Sequence, residues 1–313
     1  MKIGIVGAGL SGIIAARELI ERGHAVELIE KSRSVGGRLA TRRIGEGKAD
    51  HGAVYFTVRG EDLKQDVQAW MANGWVTVWY ADPYPRYVAT GGMNHLAKHL
   101  AEGLPVHLNE QVEAIKAENG MISVHTNKTI RHYEKLLVTT PLPQTFELLG
   151  QLSQDMNQSL RTLSYAPTFV GLFEFMDPIK VGTEGIIDQH LERGLLKVIN
   201  NRQKGISTTN LVSVYMDEAW SESWYARSSE ETLQEIERLL KTVTGEAKIA
   251  SKQLKRWRYA QAREVWRAPY DRLKQHPVFL AGDVFLEPDD PSGRTRFESA
   301  YISGLRAAEA MDT

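Results

Sequence analysis

The 313-residue chain contains no cysteine. That excludes disulfides, thiolate metal sites, thiol redox catalysis and a flavin attached through cysteine. No apolar run approaches the length of a membrane span. The first residues enter a strand pattern at once, which leaves no room for a signal peptide, so a cytoplasmic protein is expected. Charge of one sign is also missing: 38 Lys and Arg stand against 39 Asp and Glu, a net charge of −1. With no global basic field, neither nucleic acid nor an anionic membrane is expected as a partner. No internal repeat, low-complexity linker, nucleophile constellation or metal-ligand cluster stands out. What remains is the composition of a soluble globular protein, 42% hydrophobic and 25% charged, of a length that holds one large domain or two ordinary ones.

The opening stretch organises the chain. Ile3-Gly4-Ile5-Val6 reads as a buried strand, and Gly7-Ala8-Gly9-Leu10-Ser11-Gly12 as a tight turn. Leu10, Ile13, Ile14, Ala16, Leu19 and Ile20 then recur at helical spacing up to Gly23. A second strand, Ala25 to Ile29, ends at Glu30. This is G-x-G-x-x-G between a strand and a helix, the setting that makes it a dinucleotide fingerprint. Gly7 permits the turn, Gly9 lets backbone approach a pyrophosphate, and Gly12 lets the helix pack on the strand. The free N–H groups of the helix start face the phosphate charge. Glu30 lies 18 residues past Gly12, near the offset of a carboxylate that binds a ribose hydroxyl. It would repel a 2′-phosphate there.

Val35-Gly36-Gly37-Arg38 follows after a short loop. This resembles the second half of the fingerprint of two-domain flavoproteins in the amine oxidase superfamily, and the resemblance implies bound FAD, with NAD as the alternative. Three further segments are similar to that superfamily: Asp50-His51-Gly52-Ala53, which would run past the flavin ring; Gly91-Gly92-Met93 before a helix; and the ending Gly282-Asp283 followed by the helix Phe297 to Ala308. The resemblance implies non-covalent FAD held by Gly7, Gly9, Leu10, Ser11, Gly12, Glu30, Lys31, Gly37, Arg38, Gly52, Ala53, Val112, Gly282, Asp283, Ser299, Ala300 and Ser303. The family usually has Gly-Ala where this chain has Ser299-Ala300.

Between these ends, residues 61–73 read as a helix, Trp75 to Tyr80 as a strand, and Asn94 as the N-cap of a helix through His99. Val106 to Thr126 reads as a meander with a hairpin turn at Asn119-Gly120. Leu136 to Thr139 reads as a strand returning to the first sheet. Helices over 145–163 and 218–243 alternate with longer strands at Phe169–Phe175, Leu195–Asn200, Leu211–Met216 and Gln253–Tyr259. The expected fold is α/β. A Rossmann-type FAD-binding domain with a parallel sheet and a β-meander comprises 1–58, 89–144 and 262–313. An α+β substrate domain with a mainly antiparallel sheet comprises 59–88 and 145–261.

His51 is the titratable residue of the Asp50–Thr57 segment with a pKa suited to proton transfer near neutrality, or else it is structural. On a strand, Trp257 and Tyr259 share one face while Arg256 and Arg258 share the other; the aromatic face is either a pocket wall or ordinary sheet packing. Pocket candidates are His51, Tyr55, Tyr215, Trp257 and Tyr259. Asp50 to Phe56, Pro143-Gln144 and Arg256 to Ala260 resemble the renalases and their bacterial relatives. The resemblance implies an FAD-dependent oxidase that takes a hydride from a small planar donor, an isomeric dihydro-NAD(P), and passes electrons to oxygen. An amine oxidase, a porphyrinogen oxidase or a desaturase on the same scaffold, or a non-catalytic binding protein of that fold, remain the alternatives.

Overall fold

A computed structural model describes every residue except Asn119. The hairpin turn expected at Asn119-Gly120 therefore lies outside the described residues, although the flanking Glu118 and Met121 pair antiparallel.

Two sheets carry the architecture. The first has six strands in the spatial order Asp271–Arg272, Val278–Leu280, Lys135–Val138, Lys2–Val6, Ala25–Ile29 and Val106–His107. All its pairings are parallel except the Asp271–Arg272 edge. Strands buried on both faces read as continuous apolar runs, and Ile3, Ile5, Leu28, Leu136 and Leu137 are all fully buried. A three-stranded antiparallel meander, Val112–Glu118, Met121–Thr126 and Ile130–Tyr133, packs beside this sheet. The Leu10–Glu21 and Phe297–Asp312 helices lie against each other over the sheet. A Cβ on Gly304 would sit 2.3 Å from the Ser11 carbonyl oxygen, so the two ends of the chain meet backbone to backbone.

The second sheet has five strands, all antiparallel, in the order Ile186–Ile187, Leu195–Asn200, Leu211–Met216, Tyr165–Phe175 and Ile249–Ala262. Alternation divides its side chains. Phe169, Phe173, Val212 and Val214 pack under the Ser229–Thr244 helix with Ile236, Leu239 and Leu240. Val170, Leu172, Leu211 and Tyr215 face the other way, onto Ile44, Ala49 and Val54. The second sheet thus lies on the segment that leaves the glycine-rich opening. This is the α/β fold with one parallel and one antiparallel sheet that the sequence predicts.

Three local expectations are corrected. The helix expected over 145–163 is Leu142–Leu149, ended by Gly150 at φ +50°, followed by 3-10 turns at Gly150–Asp155 and Gln158–Thr162. Asn157 accepts from the Ser159 N–H, a local bond that competes with a continuous helix. The helix expected over 218–243 is two, Glu218–Trp224 and Ser229–Thr244, because Ser228 and Glu231 form a reciprocal capping box. Asn94 is not an N-cap. Gly92 holds that position, and the Asn94 amide instead donates to the Val35 carbonyl at 2.6 Å, tying its helix to the Gly-Gly-Arg loop. The strand expected at Trp75 to Tyr80 is Val76–Ala81, and it pairs with Pro85–Ala89, while the Thr41–Ile44 and Gly47–Asp50 hairpin has no counterpart in the sequence pattern. Neither TRRI nor GKAD alternates polar with apolar.

Candidate functional site

A cleft of about 1410 Å³ runs between the glycine-rich opening and the second sheet. At one end stand Gly7, Gly9, Leu10, Ser11, Glu30 and Lys31. Gly7 has φ +99°, and a Cβ on Gly12 would sit 2.2 Å from the Gly7 carbonyl oxygen, so turn and helix close only with glycine at both positions. The Leu10–Glu21 helix has no side-chain cap and no acid in its first turn. Nothing lies within 4 Å of where a Gly9 Cβ would be. An uncapped helix start facing open space is what an anionic pyrophosphate requires. Glu30 is buried and accepts from the N–H groups of Ala8 (3.0 Å) and Ser32 (2.8 Å), which fixes its carboxylate at the cleft wall.

Farther along, Arg38 and Asp283 form a two-point ion pair at 2.8 and 2.5 Å, and Arg38 also donates to the Ala260 carbonyl. The residues from the two ends of the chain are thus joined in the cleft wall. Gly37, Gly52, Ala53, Gly282 and Ala300 also line it. Gly52 is required by close approach, since a Cβ there would lie 1.9 Å from the Arg38 carbonyl oxygen.

Four residues expected at the cofactor do not line the cleft. Gly12 is turned to the helix–strand contact. Val112 is buried in a cluster with Ile29. Ser299 donates to the Asp283 carbonyl at 2.9 Å, and Ser303 accepts from the Gly282 N–H at 2.9 Å. The two serines hold the Gly-Asp loop onto the last helix, which explains a hydroxyl where the family has glycine.

His51, Tyr55, Tyr215, Trp257 and Tyr259 all line the cleft. Tyr215 donates to the carbonyls of Asp50 (3.1 Å) and Gly52 (3.0 Å). Burial, and then the Asp50 carboxylate, push its phenol far above the ordinary range, so it is a fixed donor. Trp257 stacks on His51 at 5.5 Å and donates to the His51 carbonyl at 2.6 Å. The expectation that His51 titrates near neutrality is corrected: burial first, then the positive field of Lys255 and Arg42, push it down to about 4. It is neutral at pH 7, and its buried Nδ1 has no partner among the described residues.

Strand alternation also misplaced Arg258. Between the pairs Thr168↔Trp257 and Ala166↔Gln261 one strand advances two residues and the other four. This bulge re-aims side chains, so Arg258 lines the cleft with Trp257 and Tyr259. The two aromatics join different clusters, Trp257 with Tyr215 and Tyr259 with Tyr165.

The Asp50–Tyr55 segment is anchored from behind. Lys204 donates to the Asp50 carboxylate at 2.6 Å and to the Val54 carbonyl at 2.5 Å, with the lysine 0% and the aspartate 1% exposed. Asp50 also accepts from the Thr41 hydroxyl (2.5 Å) and the Met93 N–H (3.0 Å). Sequence reasoning did not find Lys204, Arg86 or Lys197. None belongs to a motif, and only folding brings them to the segment or the cleft.

Comparison with known proteins agrees with this geometry. Residues 63–312 match the family of flavin containing amine oxidoreductases, and residues 5–70 match an NAD(P)-binding Rossmann-like domain. A flavin-dependent L-tryptophan oxidase of Lentzea aerocolonigenes is 49% identical over 59 residues, 19% of this chain and 12% of that protein. A zeta-carotene desaturase of Synechocystis is 45% identical over 47 residues, 15% of this chain and 10% of that protein. The matches thus span about a tenth of these curated relatives. Over the full fold, a putative protoporphyrinogen oxidase from Exiguobacterium superposes with a TM-score of 0.77 at 12% identity, covering 100% of this chain and 98% of the other. Cyclohexylamine oxidase from Brevibacterium oxydans gives 0.70 at 13% identity, with 100% and 98% covered. These solved structures establish likeness of fold. The family match over most of the chain, together with a dinucleotide cradle that both termini build, places this protein in the flavin-containing amine oxidoreductase family.

Proposed function

We propose that this protein is a renalase-like oxidase that takes a hydride from a small planar reduced donor, an isomeric (2- or 6-) dihydro-NAD(P), and passes the electrons to oxygen to give hydrogen peroxide. The reading rests on one observation: Tyr55, Tyr215, Trp257 and Tyr259 line the same cleft as Gly9, Glu30, Arg38 and Asp283. An aromatic-walled slot suits a flat donor that must lie parallel to its acceptor, with the reacting atoms about 3–3.5 Å apart.

Bound FAD supplies the hydride acceptor and the route to oxygen. In this reading Gly7 to Ser11 hold its pyrophosphate, Glu30 its adenosine ribose, and Arg38 and Asp283 the span between. His51 and Tyr215 serve as neutral walls, and Trp257 and Tyr259 exclude water and orient the donor. No described side chain is asked to take up a proton. The proposal divides the chain as the sequence does, into a cofactor domain of 1–58, 89–144 and 262–313 and a substrate domain of 59–88 and 145–261.

Anaerobic mixing with isomeric dihydronicotinamide mononucleotide tests the reading. The flavin colour should bleach within seconds, and air should restore it with release of hydrogen peroxide. Bleaching by simple amines, with none by the isomers, rejects the substrate assignment while leaving the family assignment intact.

A further inference from the structure

The cleft is charged in a way that the chain as a whole is not. The chain nearly balances its charges, 38 basic against 39 acidic residues, but the cleft lining holds eight Lys or Arg and four Asp or Glu. A bound pyrophosphate would account for part of that excess at the glycine-loop end, where Lys31 stands, and Asp283 already pairs with Arg38. Three other cations line the cleft from strands outside the dinucleotide cradle: Arg86 from Pro85–Ala89, Lys197 from Leu195–Asn200 and Arg258 from Ile249–Ala262.

Among the described residues, none of the three pairs with a carboxylate. Each lies over a tyrosine instead. The Arg86 guanidinium is 5.5 Å from the Tyr55 ring and 4.7 Å from the Tyr80 ring. Lys197 is 6.0 Å from the Tyr215 ring, and Arg258 is 5.6 Å from the Tyr259 ring. Tyr55, Tyr215 and Tyr259 are three of the walls of the slot. A ring face orients a cation and attracts it, but leaves its charge unneutralised.

Arg86 is the most constrained of the three. It is held between two rings, it donates to the Asp82 carbonyl, and its Nε is buried with no acceptor among the described residues. A buried donor left unpaired is costly, and such a group calls for a partner that arrives from outside.

We infer that Arg86, supported by Lys197 and Arg258, receives an anionic group, a carboxylate or a phosphate, carried by the planar substrate. The inference rests on the slot being the substrate site, and it adds which residues receive that substrate's anionic group. The same cations repel an ammonium, which sets this cleft against alkylamine donors.

Redox-inert probes test it on the FAD-loaded protein, read as the change in the flavin absorbance spectrum. Benzoate, phenyl phosphate, benzamide and benzylammonium share a ring and differ in charge. Benzoate or phenyl phosphate should bind at least tenfold more tightly than benzamide, with benzylammonium weakest, and the better anion tells carboxylate from phosphate. Arg86→Met should lower the anion affinity tenfold or more and leave benzamide unchanged, while Arg86→Lys should fall between. Equal binding of benzoate and benzamide, tighter binding of benzylammonium, silence of all four probes, or an Arg86→Met protein that binds anions as the parent does would overturn it. The ranking on the unmodified protein stands whether or not the variant folds. Anion selectivity without bleaching by dihydronicotinamides sinks only the oxidase reading; bleaching without anion selectivity sinks only this one.

Discussion

Replacing Lys204 by methionine leaves the Asp50 carboxyl buried without its cationic partner. Both side chains are withdrawn from solvent, 0% and 1% exposed. Breaking such a pair from one side costs about 3–5 kcal/mol, because the surviving charge is uncompensated. Here the Thr41 hydroxyl and the Met93 N–H still reach Asp50, so the lower end, about 3 kcal/mol, is expected. Two free energies then separate the pair from its surroundings. Lys204→Met alone should lower the urea midpoint by about 1–3 M. Asp50→Asn with Lys204→Met removes both charges and keeps an acceptor for Thr41 and Met93. The double variant should therefore lose less than the sum of the singles by about 0.5–3 kcal/mol. Far-UV circular dichroism of the apoprotein gives the midpoints without the stabilising effect of bound FAD. A shift indistinguishable from zero for Lys204→Met, or strict additivity in the double variant, refutes the claim that this pair anchors the Asp50–Tyr55 segment.

Three further outcomes are expected. Glu30→Ala should weaken FAD retention roughly ten- to a hundredfold, from loss of about 1.5–3 kcal/mol of charge-assisted bonding; unchanged retention in equilibrium dialysis means the carboxylate points elsewhere. Gly52→Ala should destabilise the holoprotein and loosen FAD, because its methyl meets the Arg38 carbonyl oxygen at 1.9 Å; a protein with parental thermal midpoint and FAD affinity contradicts the close approach. For His51 the folded pKa of about 4 lies below the ordinary 6.5. The unfolded chain thus takes up a proton first, and stability falls as pH drops from about 6.5 and levels below about 4. His51→Gln should flatten that part of the stability–pH curve, and an unaltered slope counts against a neutral buried imidazole.

The parts of this molecule that were legible in the sequence are those where one residue type alone fits. Gly7 and Gly12 are forced by a turn and a close approach, Glu30 by its offset from them, and Gly282-Asp283 by its place after a buried strand. The buried parallel strands showed because apolar runs carry their own signal. The hairpin of Thr41–Ile44 and Gly47–Asp50 did not, since its polar residues lack a period. Arg86 and Lys204 were invisible for a different reason. Each is a single basic residue whose meaning comes from partners 31 and 154 positions away, Tyr55 and Asp50. Arg258 was misread because a bulge breaks the alternation on which strand-face reasoning depends.

The central claim, that both ends of the chain build one non-covalent FAD site, is tested most directly by releasing the cofactor. Protein purified from its own expression host, or reconstituted with FAD, is precipitated by acid or heat, and the flavin in supernatant and pellet is identified and counted. The account predicts that all the flavin is found in the supernatant, as FAD, at about one molecule per chain. Flavin retained on the pellet, FMN in place of FAD, or a colourless protein that takes up no FAD would contradict it.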